Sequence, residues 1–333
     1  MTLESSSHPR ISVVIPTKNG GPLFGRVLAS VLEQRIPGEL EVLVVDSGST
    51  DETLAIARRY PQVRLIEIPP QEFGHGKTRN LAVSLAKGEF VAMITQDALP
   101  ASNDWLLNMV TPLLNNPSIA GVFGRHIAYP EASVFNRREL EAHFDGFTSQ
   151  PVVHLDSRDR YANEEGYRQF LYFFSDNNAM LRRSVWEKIP YPEVDFAEDQ
   201  AWARLVVEAG HHKAYAHDGV VYHSHDYALL ERLQRSFDES YALSRLFGYQ
   251  GGRGIKHAIR SLLALTRRDI KVSLQEGLLK SDPITVLRMP FDHLMRILGS
   301  YLGQHADKMP MAVRLRLSRD RRLMKIDAWS NRP

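Results

Sequence analysis

The strongest constraint on this chain is the alternation of strand and helix patterns in its first hundred residues, with polar side chains gathered where the strands end. ISVVIP (11–16) is a continuous apolar, β-branched run, the pattern of a strand buried on both faces. Leu23, Val27, Leu28 and Val31 follow it at helical spacing. EVLVVD (41–46) is a second buried strand, stopped by the SGSTDE turn. There Ser49 and Glu52 are expected to form a capping box that opens a helix through Tyr60. VRLIEI (63–68) is a third strand, TRNLAVSLAKG (78–88) a helix with a glycine C-cap, and EFVAMIT (89–95) a fourth strand. This order implies an α/β fold with a doubly wound, mostly parallel sheet. Ligands of such sheets bind beyond the carboxyl ends of the strands. Lys18, Asn19, Asp46, Gln96 and Asp97 all fall there. A purely structural sheet does not need three polar strand tips on one edge, whereas a nucleotide site does.

Beyond residue 98 the pattern loosens. Residues 130–172 are polar and weakly periodic, and are expected to form an excursion over the active face rather than core. After residue 228 amphipathic helices take over. In one of them Phe291, Leu294, Met295, Leu298 and Leu302 share a face, with Asp292 and Arg296 pointing away and Pro290 in the first turn. Charge divides at the same place. Residues 1–227 carry 21 Lys and Arg against 29 Asp and Glu, and residues 228–333 carry 20 against 10. A basic tail suits a polyanionic partner such as an anionic membrane surface, or is simply a solvated helical surface. The chain has no cysteine, which excludes disulfide scaffolds and thiolate metal sites. MTLESSSHPR has no apolar core, so no signal peptide is expected, and no run of 18 uncharged apolar residues predicts a transmembrane helix. A cytoplasmic protein is the expectation, held peripherally at the inner face of a bacterial plasma membrane by its tail.

ISVVIPTKNG, VVDSGSTDET, a strand ending in an acid, and AEDQAWARLVVEAG stand in the order of motifs found in inverting family-2 GT-A glycosyltransferases. The resemblance covers roughly residues 10–227. EFGHGKTRN (72–80) and TQDA (95–98) further resemble the bacterial rhamnosyltransferases that use dTDP-rhamnose to build surface polysaccharide. The resemblance implies a GT-A catalytic domain over 1–227, with a nucleotide-binding half at about 10–98 and an acceptor half at about 99–227. A C-terminal α-helical extension occupies 228–333. It also implies a donor, dTDP-rhamnose or a UDP-sugar, and a saccharide or lipid-linked acceptor.

Site residues follow from motif and chemistry together. By resemblance Asp46 accepts the N3–H of uracil or thymine; its structural alternative is to organise the SGSTDE turn. Asp51 reads as an acid in the first helical turn. Asp97 is the metal candidate, for Mg²⁺ or Mn²⁺ bridging the leaving diphosphate, with Gln96 beside it on the donor side. Members of the family often carry two or three acids here, whereas this chain has Thr95-Gln96-Asp97. A histidine from VVYHSHDY completes the shell. His223 and His225 alternate faces on an extended chain, and His225 is preferred by its position at the strand's end. His75, Lys77 and Arg79, in a glycine-interrupted loop entering a helix, suit the donor diphosphate or sugar. By resemblance Asp199 is the expected base, deprotonating the acceptor hydroxyl for an inverting displacement, with Glu198 orienting the acceptor or serving as a helix-start acid. Trp202 is core or stacks on a sugar ring. Asp176 and Asn177 are acceptor-side candidates. The competing reading is an inactive nucleotide-sugar-binding scaffold that recruits partners through the basic helices, whose apolar faces also suit oligomerisation. Nucleic acid is not expected as a partner, because the positive charge lies away from the motif-bearing edge.

Overall fold

A computed structural model describes residues 10–36, 38–250 and 254–324; the opening residues 1–9, to which the signal-peptide expectation applies, lie outside it. Nine strands form one sheet: β1 (Ile11–Thr17), β2 (Leu40–Asp46), β3 (Val63–Glu67), β4 (Phe90–Ile94), β5 (Leu99–Pro100), β6 (Ile119–Ile127), β7 (Val152–Val153), β8 (Asn178–Arg182) and β9 (His212–Tyr222). Their order is β3-β2-β1-β4-β8-β6-β9-β5, with β7 paired to β9. The helices between them are α1 (Gly21–Leu32), α2 (Thr53–Arg58), α3 (His75–Leu85), α4 (Trp105–Asn115), α5 (Val134–Asp145), α6 (Arg158–Asn163), α7 (Glu165–Tyr172), α8 (Arg183–Trp186) and α9 (Glu198–Glu208). Then come α10 (Leu229–Phe247), α11 (Gly254–Gln275), α12 (Leu278–Ser281), α13 (Pro283–Gln304) and α14 (Met311–Leu317).

The parallel order expected from the sequence holds from β3 through β4. Past β4 the sheet turns mixed: β8 runs antiparallel to both β4 and β6, and β9 returns parallel to β6. The carboxyl ends of β1, β2, β4, β6 and β9 therefore share one edge with the start of β8. Beneath it lies a core of β-branched and aromatic side chains, including Val13, Ile15, Phe24, Val44, Trp105 and Met109, all within a few per cent of full burial. Phe24 takes the innermost place on α1, and Leu23, expected there, is half-buried.

Two expectations are corrected here. Ser49 does not cap α2. Its hydroxyl bonds to Asp46, and it is Asp51 Oδ1 that accepts from the Thr53 N–H at 3.0 Å. Residues 130–172 are not merely a polar excursion. Phe144, Phe147 and Leu171 are buried, and Phe147 stacks on Phe173 with ring centroids 4.9 Å apart. Large apolar side chains at irregular spacing hide the core face from a periodicity test.

Two compact units divide the chain. One holds the residues up to Ala132 with Asn136–Glu193 and Glu198–Ser224; the other holds Ser133–Phe135, Val194–Ala197 and the part from His225 onward. In the second unit α13 runs from Pro283, so Pro290 lies inside the helix and not in its first turn; Asp282 is the cap, accepting from the Thr285 N–H at 3.2 Å. The buried face of α13 differs from the apolar stripe read in the sequence. It consists of Val286, Met289, His293, Gly299 and Gly303, while Phe291, Leu294 and Leu298 are exposed. Asp292, expected to point away, pairs with Arg232 of α10 at 3.2 Å. A β-carbon at Gly299 would lie 2.3 Å from the Leu233 carbonyl oxygen, so close backbone packing sets this face rather than bulk. Among the described residues no helix is long and apolar enough to cross a membrane.

Candidate active site

The loops after β1, β2 and β4 are tied to one another by hydrogen bonds. Asn19 adopts a left-handed backbone with φ of 51° and presents its N–H to Ser49 Oγ at 2.8 Å, while its own Oδ1 accepts from the Thr50 N–H at 2.8 Å. Asp51 reaches across to the Gly21 N–H at 3.0 Å, and these hydrogen bonds hold its carboxyl below the usual range, that from Thr53 most of all. Asp51 thus joins two loops and lies just before α2, not in its first turn as expected. Gln96 reads the Lys18 backbone in both directions, accepting its N–H at 2.8 Å and donating to its carbonyl at 3.2 Å. Asp46 is buried and fully engaged: Oδ1 accepts from the Gly48 and Ser49 N–H groups at 2.9 and 2.8 Å, and Oδ2 from the Thr17 and Ser49 hydroxyls. In this structure Asp46 organises the turn.

Asp97 sits just beyond β4, half-buried, with its carbonyl accepting from the Tyr129 hydroxyl at 2.9 Å. Its Oδ1 lies 3.6 Å from Nε2 of His223. Because β9 ends at Tyr222, His223 is already in a loop, and strand alternation does not decide which histidine faces the acid. His223 lies beside Asp97; His225, preferred from the sequence, opens the second unit with its ring against Tyr227. A carboxylate oxygen and an imidazole nitrogen at 3.6 Å are about as far apart as two ligands on one ion when each bond is roughly 2.0–2.2 Å. The donor set therefore fits a divalent cation. His126, at the end of β6, meets the His223 ring edge-on with centroids 5.3 Å apart. Burial, then His223 and His143, push its imidazole well below the usual range. His126 and Tyr129 were not singled out from sequence; their signal was their position at or just past a strand's carboxyl end.

The pairing of Ile94 with Asn178 brings the segment before β8 to the same edge as Asp97. Here the acceptor-side residues converge on Arg79. Its Nε lies 2.8 Å from Asp176 Oδ2, and its Nη1 is in direct contact with Glu198 Oε1. Arg79, expected at the donor diphosphate, instead lies buried in these ion pairs, because enclosed carboxylates demand a counter-charge. Tyr191 donates its hydroxyl to Asp176 Oδ1 at 2.9 Å. Asp199, in the first turn of α9, accepts from the Asp176 N–H at 3.2 Å and the Gln200 N–H at 2.8 Å. It alone of the three acids is partly open to solvent. Burial, with Glu198 and Asp176 as like-charged neighbours, raises the Asp199 carboxyl well above its usual range, against the pull of Arg79. Burial pushes Asp176 up to about 7, against the pull of Arg79 and with the help of Glu198, while the Tyr191 hydrogen bond works the other way.

The remaining expected residues divide. Trp202 is wholly buried, donates to the Ile189 carbonyl at 2.8 Å and packs on Phe174 and Tyr191, so its ring is core and has no face for a sugar. Asn177 is half-buried in the turn before β8. His75 begins α3 with its ring edge-on to Phe73, and Lys77 is exposed one turn before Asn80.

Residues 12–189 match the family model described as glycosyl transferase family 2. The chain belongs to that family. This family-2 glycosyltransferase is 32% identical over 312 residues to the O-antigen chain rhamnosyltransferase RfbN of Salmonella typhimurium, covering 91% of this chain and 92% of that one. It is 30% identical to the O-antigen chain rhamnosyltransferase WbaN of Salmonella anatum, at the same coverage. Among solved structures it is similar to the mannosyltransferase PcManGT of Pyrobaculum calidifontis, in complex with GDP-Man and Mn²⁺. The TM-score is 0.58 at 21% identity, over 91% of this chain and 87% of that one. S. aureus TarS 1–349 in complex with UDP-GlcNAc gives 0.51 at 18% identity, over 90% and 91%. These structural likenesses carry the GT-A α/β fold.

Proposed function

We propose that this glycosyltransferase moves L-rhamnose from dTDP-rhamnose onto a saccharide or lipid-linked acceptor of bacterial surface polysaccharide, in one inverting displacement. One feature supports the reading: Asp97, which could bind a metal, and the partly exposed Asp199 both lie at the carboxyl edge of the sheet. The names of the two Salmonella relatives support rhamnose as the sugar. Asp199 takes the proton of the acceptor hydroxyl while that oxygen bonds to the anomeric carbon. The bond from that carbon to the donor diphosphate breaks on the opposite face. Asp97 and His223 would hold Mg²⁺ or Mn²⁺, with His225, two residues along the chain, as a further proposed ligand. The cation supplies positive charge to the leaving diphosphate. His75, Lys77 and the Gln96-braced Lys18 loop line the donor side, with Asp46 shaping the turn beneath the base. Glu198, Asp176 and Asn177 belong to the acceptor side.

Calorimetry with a panel of nucleotide sugars, with and without Mn²⁺ and Mg²⁺, tests the donor. Metal-dependent binding of dTDP-rhamnose over UDP-glucose and UDP-N-acetylglucosamine is expected. Preference for a UDP-sugar removes rhamnose and keeps the transferase. No binding to any donor by the folded protein makes it a scaffold. Asp199→Asn should bind donor normally and lose transfer by about 10²-fold or more.

The second unit is proposed to rest on an anionic membrane surface, peripheral to the inner face of the plasma membrane. Ile255, Ile259 and Leu263 of α11 and Ile284, Leu287 and Phe291 of α13 are exposed at helical spacing. Lys256, Arg260 and Arg267 flank the first stripe, which suits acidic head groups and opposes pairing with a second, equally basic copy. Flotation with anionic liposomes at low salt tests this; a protein that stays behind and sediments as a dimer supports self-association instead.

A further inference from the structure

We propose that Arg79 and Asp176 are positioning residues that set the basicity of Asp199: Arg79 is its counter-ion, and Asp176 divides with it one proton that the cluster retains at neutral pH. This rests on the reading of Asp199 as the base.

The groups facing Asp199 come from four places: Arg79 from α3, Asp176 from the segment before β8, Tyr191 from the segment after α8, and Glu198 from the same turn of α9. Full ionisation would set three carboxylates against one guanidinium. The Arg79, Asp176 and Glu198 side chains are 8%, 0% and 6% exposed, so water reaches the cluster only at Asp199 and screens the two excess negative charges poorly. Like charges held this way do not all ionise, and a proton stays with the group.

The partners say where that proton resides. Glu198 takes Arg79 Nη1 directly. Asp176 has the Arg79 Nε at 2.8 Å and the Tyr191 hydroxyl at 2.9 Å. Asp199 has backbone N–H groups and, among the described residues, no direct ion pair, so Arg79 acts on it across the cluster. The proton is therefore divided between the two aspartates, and the rise of both above the usual carboxyl range agrees with this. In the reactive form it sits on Asp176 and leaves Asp199 ionised. A base whose affinity for protons is raised by its neighbours, yet capped by a guanidinium, suits a hydroxyl that must lose its proton only as the new bond forms.

Two variants pull in opposite directions. Asp176→Asn removes a negative neighbour, and the acidic limb of the kcat/KM profile should move down by about one pH unit; Arg79→Met removes the positive one, and the limb should move up by about as much. Arg79→Lys should bring it back towards wild type. Nucleotide binding by calorimetry should stay within about threefold in all three, a change below roughly 0.7 kcal/mol. Carboxyl-¹³C NMR of the full chain labelled at aspartate should show a titration near neutral pH that disappears in Asp176→Asn. Unmoved limbs overturn the proposal. So does nucleotide binding weakened tenfold by Arg79→Met with the limb in place, which would make Arg79 a donor contact. If Arg79→Met does not fold, Asp176→Asn decides alone. A wild-type protein without transfer activity sinks the base assignment, and the NMR titration then judges the shared proton separately.

Discussion

Gly76 and Pro192 approach so closely that a β-carbon on residue 76 would lie 2.0 Å from the Pro192 carbonyl oxygen. That contact fixes the first turn of α3, which carries Arg79, against the chain just after Tyr191, whose hydroxyl holds Asp176. Gly76→Ala cannot be accommodated by a side-chain rotation, because the obstacle is backbone. It should destabilise the protein by about 2 kcal/mol or more, as overpacking does, and lower turnover more than nucleotide affinity. Denaturant midpoints and calorimetry check both parts; an alanine variant of wild-type stability would mean that the contact is not tight.

Removing either partner of the Asp97–His223 pair should uncouple donor binding from metal. Asp97→Asn keeps the shape but takes away the charge, and His223→Ala takes away the nitrogen that lies 3.6 Å from it. Each is expected to abolish the gain in nucleotide-sugar affinity on adding Mn²⁺, with affinity in chelator unchanged within about twofold, or roughly 0.4 kcal/mol. His126→Phe, which keeps a ring against His223, should retain the Mn²⁺ effect. Calorimetry with and without metal reads all three.

The sheet and its candidate edge were legible because β1, β2 and β4 are buried on both faces and write themselves as apolar runs, each running into a polar residue. The roles of individual side chains were less so. The glycines around His75 read as room for a ligand, yet Gly76 makes room for Pro192, which lies 116 positions away in sequence. Arg79 read as a phosphate contact from its place at a helix start. Its carboxylate partners come from positions 176 and 198, a meeting that periodicity does not reveal. On α13 the apolar stripe was legible, but not the packing face, which glycines set because small residues let two helix backbones close in.

The two faces of α13 give a sharp pair of outcomes. Leu287→Glu and Phe291→Glu alter exposed side chains and should leave thermal stability within about 0.5 kcal/mol of wild type. Both should reduce flotation with anionic vesicles. Gly299→Val places atoms where the Leu233 carbonyl already is, so it should unfold the second unit's helix pair at lower temperature. Glutamates that destabilise the protein would show that the stripe is covered.

Lys213 provides the last test, in a part of the sheet that no motif marked. It lies wholly buried on β9, donating its Nζ to the Phe170 carbonyl at 2.8 Å and to that of Phe173, beneath the Phe123 ring. It thereby holds the end of α7 from which the chain runs to Asp176. Burial pushes its ammonium well below the usual amine range. The folded state thus binds this proton less readily than the unfolded chain does. Its contribution to stability is complete above the unfolded value of about 10.4 and declines as pH falls towards the lowered folded value. Lys213→Met strips both carbonyls of their donor, at a cost of about 1–3 kcal/mol, and removes the titration. The stability gap between wild type and variant should be widest at pH 10–11 and narrow steadily towards neutrality. Urea melts across that range measure it directly. A gap that stays constant with pH would mean that Lys213 keeps its proton in the fold, paired to carbonyls as a full ammonium.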